Sequence, residues 1–200
     1  MTLATSRRMT LQEFLKYDDG TENRYELVDG VLVEMGAEST TNTITAGFLF
    51  GFLIQMGLPS YRIGFKQKIE VASRYVTARD PDLIVHTEES FQAIDERTEA
   101  CLQYGEPNPL IVVEVVSPGD ETKDNYQRDY VQKPGEYADR GIGEFWRVDP
   151  ERKWVQIGIL ISKHYQFTTF RGDDAIVSSA FPALKLTAIQ VLRAGRSRTL

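Results

Sequence analysis

Two short β-branched runs, "DLIVH" at 82–86 and "LIVVEVV" at 110–116, most constrain what this chain can fold into. Runs that are apolar at nearly every position suit strands covered on both faces of a sheet. Each run carries an acid, Asp82 at the start of the first and Glu114 inside the second. A carboxylate in such surroundings is costly unless something pairs with it. Alternation along a strand puts Glu114 on the face of Val112 and Val116. If the two strands are neighbours, both carboxylates converge at one edge of the sheet. Paired carboxylates suit a hard cation such as Mg2+, which takes oxygen ligands and keeps several waters. Such an ion can activate water and neutralise charge on a phosphodiester. The competing reading of either acid alone is a salt-bridged core or edge residue.

The rest of the chain reads as alternating helices and strands. Thr10 and Glu13 form a T-x-x-E capping box before "LQEFLKYDD", which predicts a short first helix. "RYELVDGVLVEM" is a hairpin pattern turned by Asp29-Gly30. A second, apolar helix follows, with Ser39 to Thr41 as N-cap candidates and Gly57 as its stop. "YRIGFKQKIEVASR" alternates like one strand, with Lys66, Lys68 and Glu70 on a shared face. "ESFQAIDER" predicts a helix between the two β-branched runs, and a polar helical stretch follows "SPGDET" up to Gly141. "EFWRVDPERKWVQIGILI" reads as strand, Asp-Pro turn and strand, then shorter extended pieces and a closing helix at "TAIQVLRAG". The expectation is one mixed α/β domain over 1–200, with a core at about 9–186 and a basic tail at 187–200.

Composition sets outer limits. A lone Cys101 excludes an internal disulfide framework and a Cys-rich zinc site, which fits a reducing cytosol. The segment 1–19 lacks the apolar core of a secretory leader, and 44–58 is too short to span a bilayer. A cytoplasmic protein without a membrane span is therefore expected. A net charge of −6 argues against strong nonspecific binding to nucleic acid, though it leaves room for a local basic patch.

Taken in order, "YELVDGVLVEM", "RDPDLIV", "LIVVEVVSPGD" and "RDYVQKPGEYADRGIGEFWRVDP" resemble the PD-(D/E)xK nuclease superfamily. More closely, they resemble a family of restriction-endonuclease-like proteins long catalogued as a domain of unknown function. The resemblance implies a restriction-endonuclease-like core, a mixed β-sheet flanked by helices. It implies a Mg2+-dependent endonuclease acting on DNA, with Mn2+ as a substitute ion and a homodimer as the assembly. It further implies Asp82 and Glu114 as metal ligands and Glu26 of "YEL" as another acid of the site. Where the superfamily places a lysine two residues after the second acid, this chain has Val116. The closer family carries it on the next helix, in a D-x-x-x-K-x-x-x-Y spacing matched by Asp129, Lys133 and Tyr137. Those three share one helical face. A lysine there can orient water or stabilise negative charge. Pro134 directly after Lys133 predicts a break or kink at that point.

Other candidates read differently. Asn42 stands where the family often has a histidine, and Asn42 or Thr41 is expected to cap its helix. His86 and His164 show no link, and Tyr137 and Trp146 are expected to pack. Lys66, Lys68 and Arg74 are candidate phosphate contacts; Arg193, Arg196 and Arg198 make the tail basic. The alternative function is a degenerate nuclease-fold module that binds or regulates without turnover. A two-carboxylate glycoside hydrolase fits less well, because such sites come with aromatic sugar platforms on larger barrels.

Overall fold

The computed structural model describes residues 7–36, 39–117, 126–194 and 196. Its strands form two sheets. The first has five strands in the order β2-β1-β5-β4-β7: β1 (Arg24–Val28), β2 (Val31–Met35), β4 (Lys68–Val71), β5 (Thr77–Arg79) and β7 (Cys101–Leu102). The second has six in the order β11-β10-β9-β8-β6-β3: β3 (Ile63–Gly64), β6 (Leu83–Val85), β8 (Ile111–Val115), β9 (Glu144–Asp149), β10 (Trp154–Ile161) and β11 (His164–Phe170). Strands β8 and β9 run parallel, as do β4 and β7; the other pairs are antiparallel.

The β1–β2 hairpin turns at Asp29 (φ 49°) and Gly30 (φ 81°). Two consecutive positive φ values are what a two-residue hairpin turn requires. Helix α1 (Leu11–Leu15) starts on the Thr10–Glu13 capping box. Helix α2 (Thr40–Gln55) is capped by Ser39 and lays Leu49 and Leu53 into the core with Val113, Val115 and Trp146. Burial of that apolar surface is the main stabilising term in such a layered core. Helix α3 (Glu88–Gln92) is shorter than its sequence pattern, and α5 (Ala188–Leu192) closes the described chain.

Two sequence expectations are corrected here. "YRIGFKQKIEVASR" is not one strand: Lys66 takes φ 54°, and β3 and β4 belong to different sheets. A left-handed residue cannot continue a ladder, so the alternation holds only from Lys68 to Val71. Gly64 leaves room at this corner for the Gln67 amide, which a Cβ would displace, since it would lie 1.7 Å from Gln67 Oε1.

The second correction concerns Pro134. Lys133 is helical (φ −55°, ψ −45°), and α4 (Lys133–Arg140) begins with Pro134 in its first turn. The irregularity lies upstream, as a π-helical segment at Gln127–Gln132. An N–H at 134 would bond the carbonyl of Tyr130 in an α-helix, or of Asp129 in a π-helix. Proline supplies none, and its ring clashes with the carbonyl four residues back. The wider turn relieves that clash. The guanidinium of Arg147, on β9, donates to the Asp129 carbonyl at 3.3 Å and the Tyr130 carbonyl at 3.5 Å. It also sits over the Tyr130 ring, 4.3 Å from the centroid. A cation from a neighbouring strand thus compensates the missing donor, and the chain stays helical through Lys133.

Candidate active site

Strands β6 and β8 pair with Leu83 opposite Val113. One step further along this register, Asp82 faces Glu114. The sequence expectation that both acids meet at one sheet edge therefore holds geometrically. Asp82 Oδ2 accepts the Val115 N–H at 2.6 Å. Burial, and after it the charge of Glu114, push the Asp82 carboxyl up to about 7, against the opposing effect of the Val115 N–H.

Glu114 is buried beneath α4. Its Oε2 accepts from Lys133 Nζ at 2.7 Å and its Oε1 from the Tyr137 hydroxyl at 2.6 Å. Tyr137 is buried, as expected of a packing residue, but its hydroxyl also donates to Glu114, which the sequence reading did not anticipate. Asp129 Oδ1 and Glu26 Oε1 lie 3.6 Å and 3.8 Å from Lys133 Nζ. Burial works against the ammonium, but Glu114, Glu26 and Asp129 outweigh it and hold the Lys133 pKa above its ordinary value. Lys133 is thus a fixed cation and a donor, not a base.

Glu26 enters from β1. Burial would raise its pKa, but Lys133 and Arg79 bring it down to about 2. Arg79 Nη1 donates to Glu26 Oε2 at 2.9 Å, while its Nε and Nη2 form a two-pronged contact with Glu136, each at 2.7 Å. Arg79, Arg128 and Glu136 carry no mark in the sequence, since a buried arginine is written like an exposed one. Asp80 was missed as well, although it stands in "RDPD". Its Oδ2 pairs with Arg24 at 2.6 Å, and its buried Oδ1 has no hydrogen-bond partner among the described residues.

These groups border a cleft of about 250 Å³ lined by Asp80, Asp82, Glu114, Asp129, Arg128 and Lys133, among others. Asn42 also reaches it. Contrary to expectation Asn42 is not the cap; Ser39 caps α2, and Asn42 Nδ2 donates to the Val115 carbonyl at 2.9 Å. Lys66 and Lys68 line an adjoining cleft of about 370 Å³, together with Arg24 and Asp80. Arg74 stands apart, exposed beside Tyr75. His86 is buried between Gln67 and Ser90, and His164 is exposed on β11. Arg198 and most of the "SPGDET" stretch lie outside the described residues.

The donor set fits a divalent cation. Asp82, Glu114, Asp129, Glu26 and Glu136 outnumber Arg79, Arg128 and Lys133, so the cluster carries a formal excess of two negative charges when all are ionised. Each oxygen of Glu114 accepts one hydrogen bond and keeps acceptor capacity. Among the described residues no group of three His, Cys, Asp or Glu is placed to hold a metal ion. Two protein carboxylates with water completing the shell is instead the habit of Mg2+.

A family model named Uma2, described as "Putative restriction endonuclease", matches residues 11–189. The chain belongs to the Uma2 family. A search of the curated proteins finds no match. Among solved structures, the chain is similar to one described as "a putative nuclease belonging to DUF820", from Anabaena variabilis ATCC 29413. The two share 17% identity at a TM-score of 0.66, over 94% of this chain and 99% of that one. This second likeness carries the fold, which is a restriction-endonuclease-like mixed α/β arrangement. No helix among the described residues of this Uma2 protein is long and apolar enough to cross a membrane.

Proposed function

We propose that this Uma2 protein is a divalent-metal-dependent endonuclease that hydrolyses DNA phosphodiester bonds. The observation that carries the reading is the facing of Asp82 and Glu114 across β6 and β8, with the Lys133 ammonium fixed beside them. Asp82 and Glu114 would hold Mg2+ or Mn2+. Bound there, the ion would supply charge neutralisation and a more acidic water.

The chain's own groups do the positioning. Lys133 presents a permanent positive charge where negative charge develops on a phosphate, the kind of preorganised stabilisation that lowers a barrier most. Glu26 and Asp129 hold that ammonium in place, and Tyr137 orients Glu114 through its hydroxyl. Lys133 and then Arg79 keep Glu26 ionised, and Glu136 completes the ion-pair chain behind Arg79. Arg24, Lys66 and Lys68 would meet the phosphates that flank the scissile one.

The test is incubation of the purified protein with supercoiled and linear DNA and Mg2+ or Mn2+, beside Asp82→Ala. Metal-dependent nicking by the wild type alone is the expected result. Absence of cleavage, together with absence of metal heat on titration, would replace this reading with the non-catalytic module.

A further inference from the structure

Beside the acidic cleft lies a third one of about 410 Å³, and these two share Arg24, Asn42 and Asp82. Its chemistry is different. Its walls include Ala46 and Gly47 from α2, Phe65 from the corner after β3, and Pro81 just before Asp82, with Arg24 and Lys66 also bordering it. Phe65 is 41% exposed and borders the charged site through this cleft. Its ring is held by Phe50, with centroids 5.4 Å apart. Such a platform offers a flat apolar face at low entropic cost.

Resting on the nuclease reading above, we propose that this cleft takes an unpaired nucleobase of the strand whose phosphate reaches Asp82 and Glu114, so that the substrate class is single-stranded or locally unpaired DNA. A strand crossing the acidic cleft carries its next base into the neighbouring one, because the two clefts share a wall. An apolar wall with an aromatic ring suits a base's π-face, whereas the cations bordering it suit the adjoining phosphates. In a duplex the same base face is stacked on its neighbours and cannot enter. The net charge of −6 points the same way. A protein with little overall attraction for phosphates needs base contacts to hold a strand.

Gly47 gives a sharp test. A Cβ there meets no atom within 4 Å, so a larger side chain enters the cleft without displacing the helix. Gly47→Leu should fill the cleft while favouring the helix. The probes are a short fluorescent oligothymidylate and a blunt duplex of equal length, read by anisotropy in EDTA, with thermal melting to verify the fold. The wild type should bind the single strand more tightly than the duplex. Gly47→Leu and Phe65→Ala should each weaken single-strand binding, roughly 5- to 150-fold for one lost base stack, and leave duplex binding unchanged. Equal affinity of the wild type for both probes, binding of neither, or a folded Gly47→Leu variant that binds like the wild type, overturns the proposal. Duplex cleavage that both variants retain would overturn the base cleft and leave the nuclease standing. Selective single-strand binding without cleavage of any DNA would do the reverse.

Discussion

Lys133 Nζ donates to Glu114 Oε2 at 2.7 Å, and both side chains are buried although they come from a helix and a strand nineteen positions apart. The pair links the helix to the sheet edge where the two acids meet. Removing the ammonium leaves Glu114 with the Tyr137 hydroxyl alone at hydrogen-bond distance, while Glu26 keeps Arg79 and Asp129 keeps Arg128.

Lys133→Met should therefore destabilise the protein by about 3–5 kcal/mol, the usual effect of stripping one partner from a buried pair. The same change makes the cluster more negative, so Mg2+ should raise the melting temperature of the variant more than that of the wild type. Thermal melts with and without Mg2+ read this difference. Absence of a Mg2+ response in both proteins would mean that these acids do not hold a cation.

Arg79 provides a second probe, since Glu26 has no other guanidinium contact at hydrogen-bond distance among the described residues. Arg79→Met should cost about 3–5 kcal/mol in urea unfolding, because it leaves a buried carboxylate short of its partner. Pairing it with Glu26→Leu should recover part of the loss. A double variant no more stable than the single one would show that Glu136, not Glu26, is the main partner.

At Arg147 the expected consequence is local. Arg147→Met removes the donor to the Asp129 and Tyr130 carbonyls and should cost about 1–3 kcal/mol. Hydrogen exchange should accelerate in 127–137 while β10 and β11 keep their protection. Arg147→Lys should restore part of it. Uniform acceleration across the chain would point to global loss of packing instead.

His86 gives a pH dependence away from the acidic cluster. Its imidazole is fully buried, and burial, followed by the nearby Arg62, lowers its pKa to about 4 from an ordinary 6.5. Between those values the unfolded chain binds the proton and the folded one does not. The contribution is therefore complete above pH 6.5, is lost as pH falls toward 4, and changes little below that. From pH 7 to 4.5 the loss should be about 2.5 kcal/mol. The stability gap between the wild type and His86→Gln should shift by that amount in favour of the variant over that interval. A constant gap would show that His86 does not titrate on unfolding.

What could be read from sequence was local chemistry. The Asp29-Gly30 turn, the Thr10–Glu13 box and the two acid-bearing strands depend on neighbours along the chain, and each stands where it was expected. Asp129, Lys133 and Tyr137 also share a face, because helical spacing brings them together. The misreadings involve partners far away in sequence. Pro134 pointed to a break because nothing nearby could show that Arg147 would satisfy the freed carbonyls. Asn42 looked like a cap because its bond to Val115 spans 73 positions. Lys66 interrupted an alternating pattern that side chains alone could not distinguish from one strand.

The π-helical turn before Lys133 also acts as a phase adjuster. An α-helix advances about 100° per residue, so deleting one residue between Gln127 and Gln132 would favour a regular helix and turn its two halves by about that angle relative to each other. With α4 held by the sheet, the residues upstream of the deletion would turn around the helix axis; with the upstream half held, Lys133 would leave Glu114. The extra width of that one turn is thus a length constraint on the chain. Substitutions within it can be absorbed, but a change of register there moves the lysine relative to Glu114 on the strand.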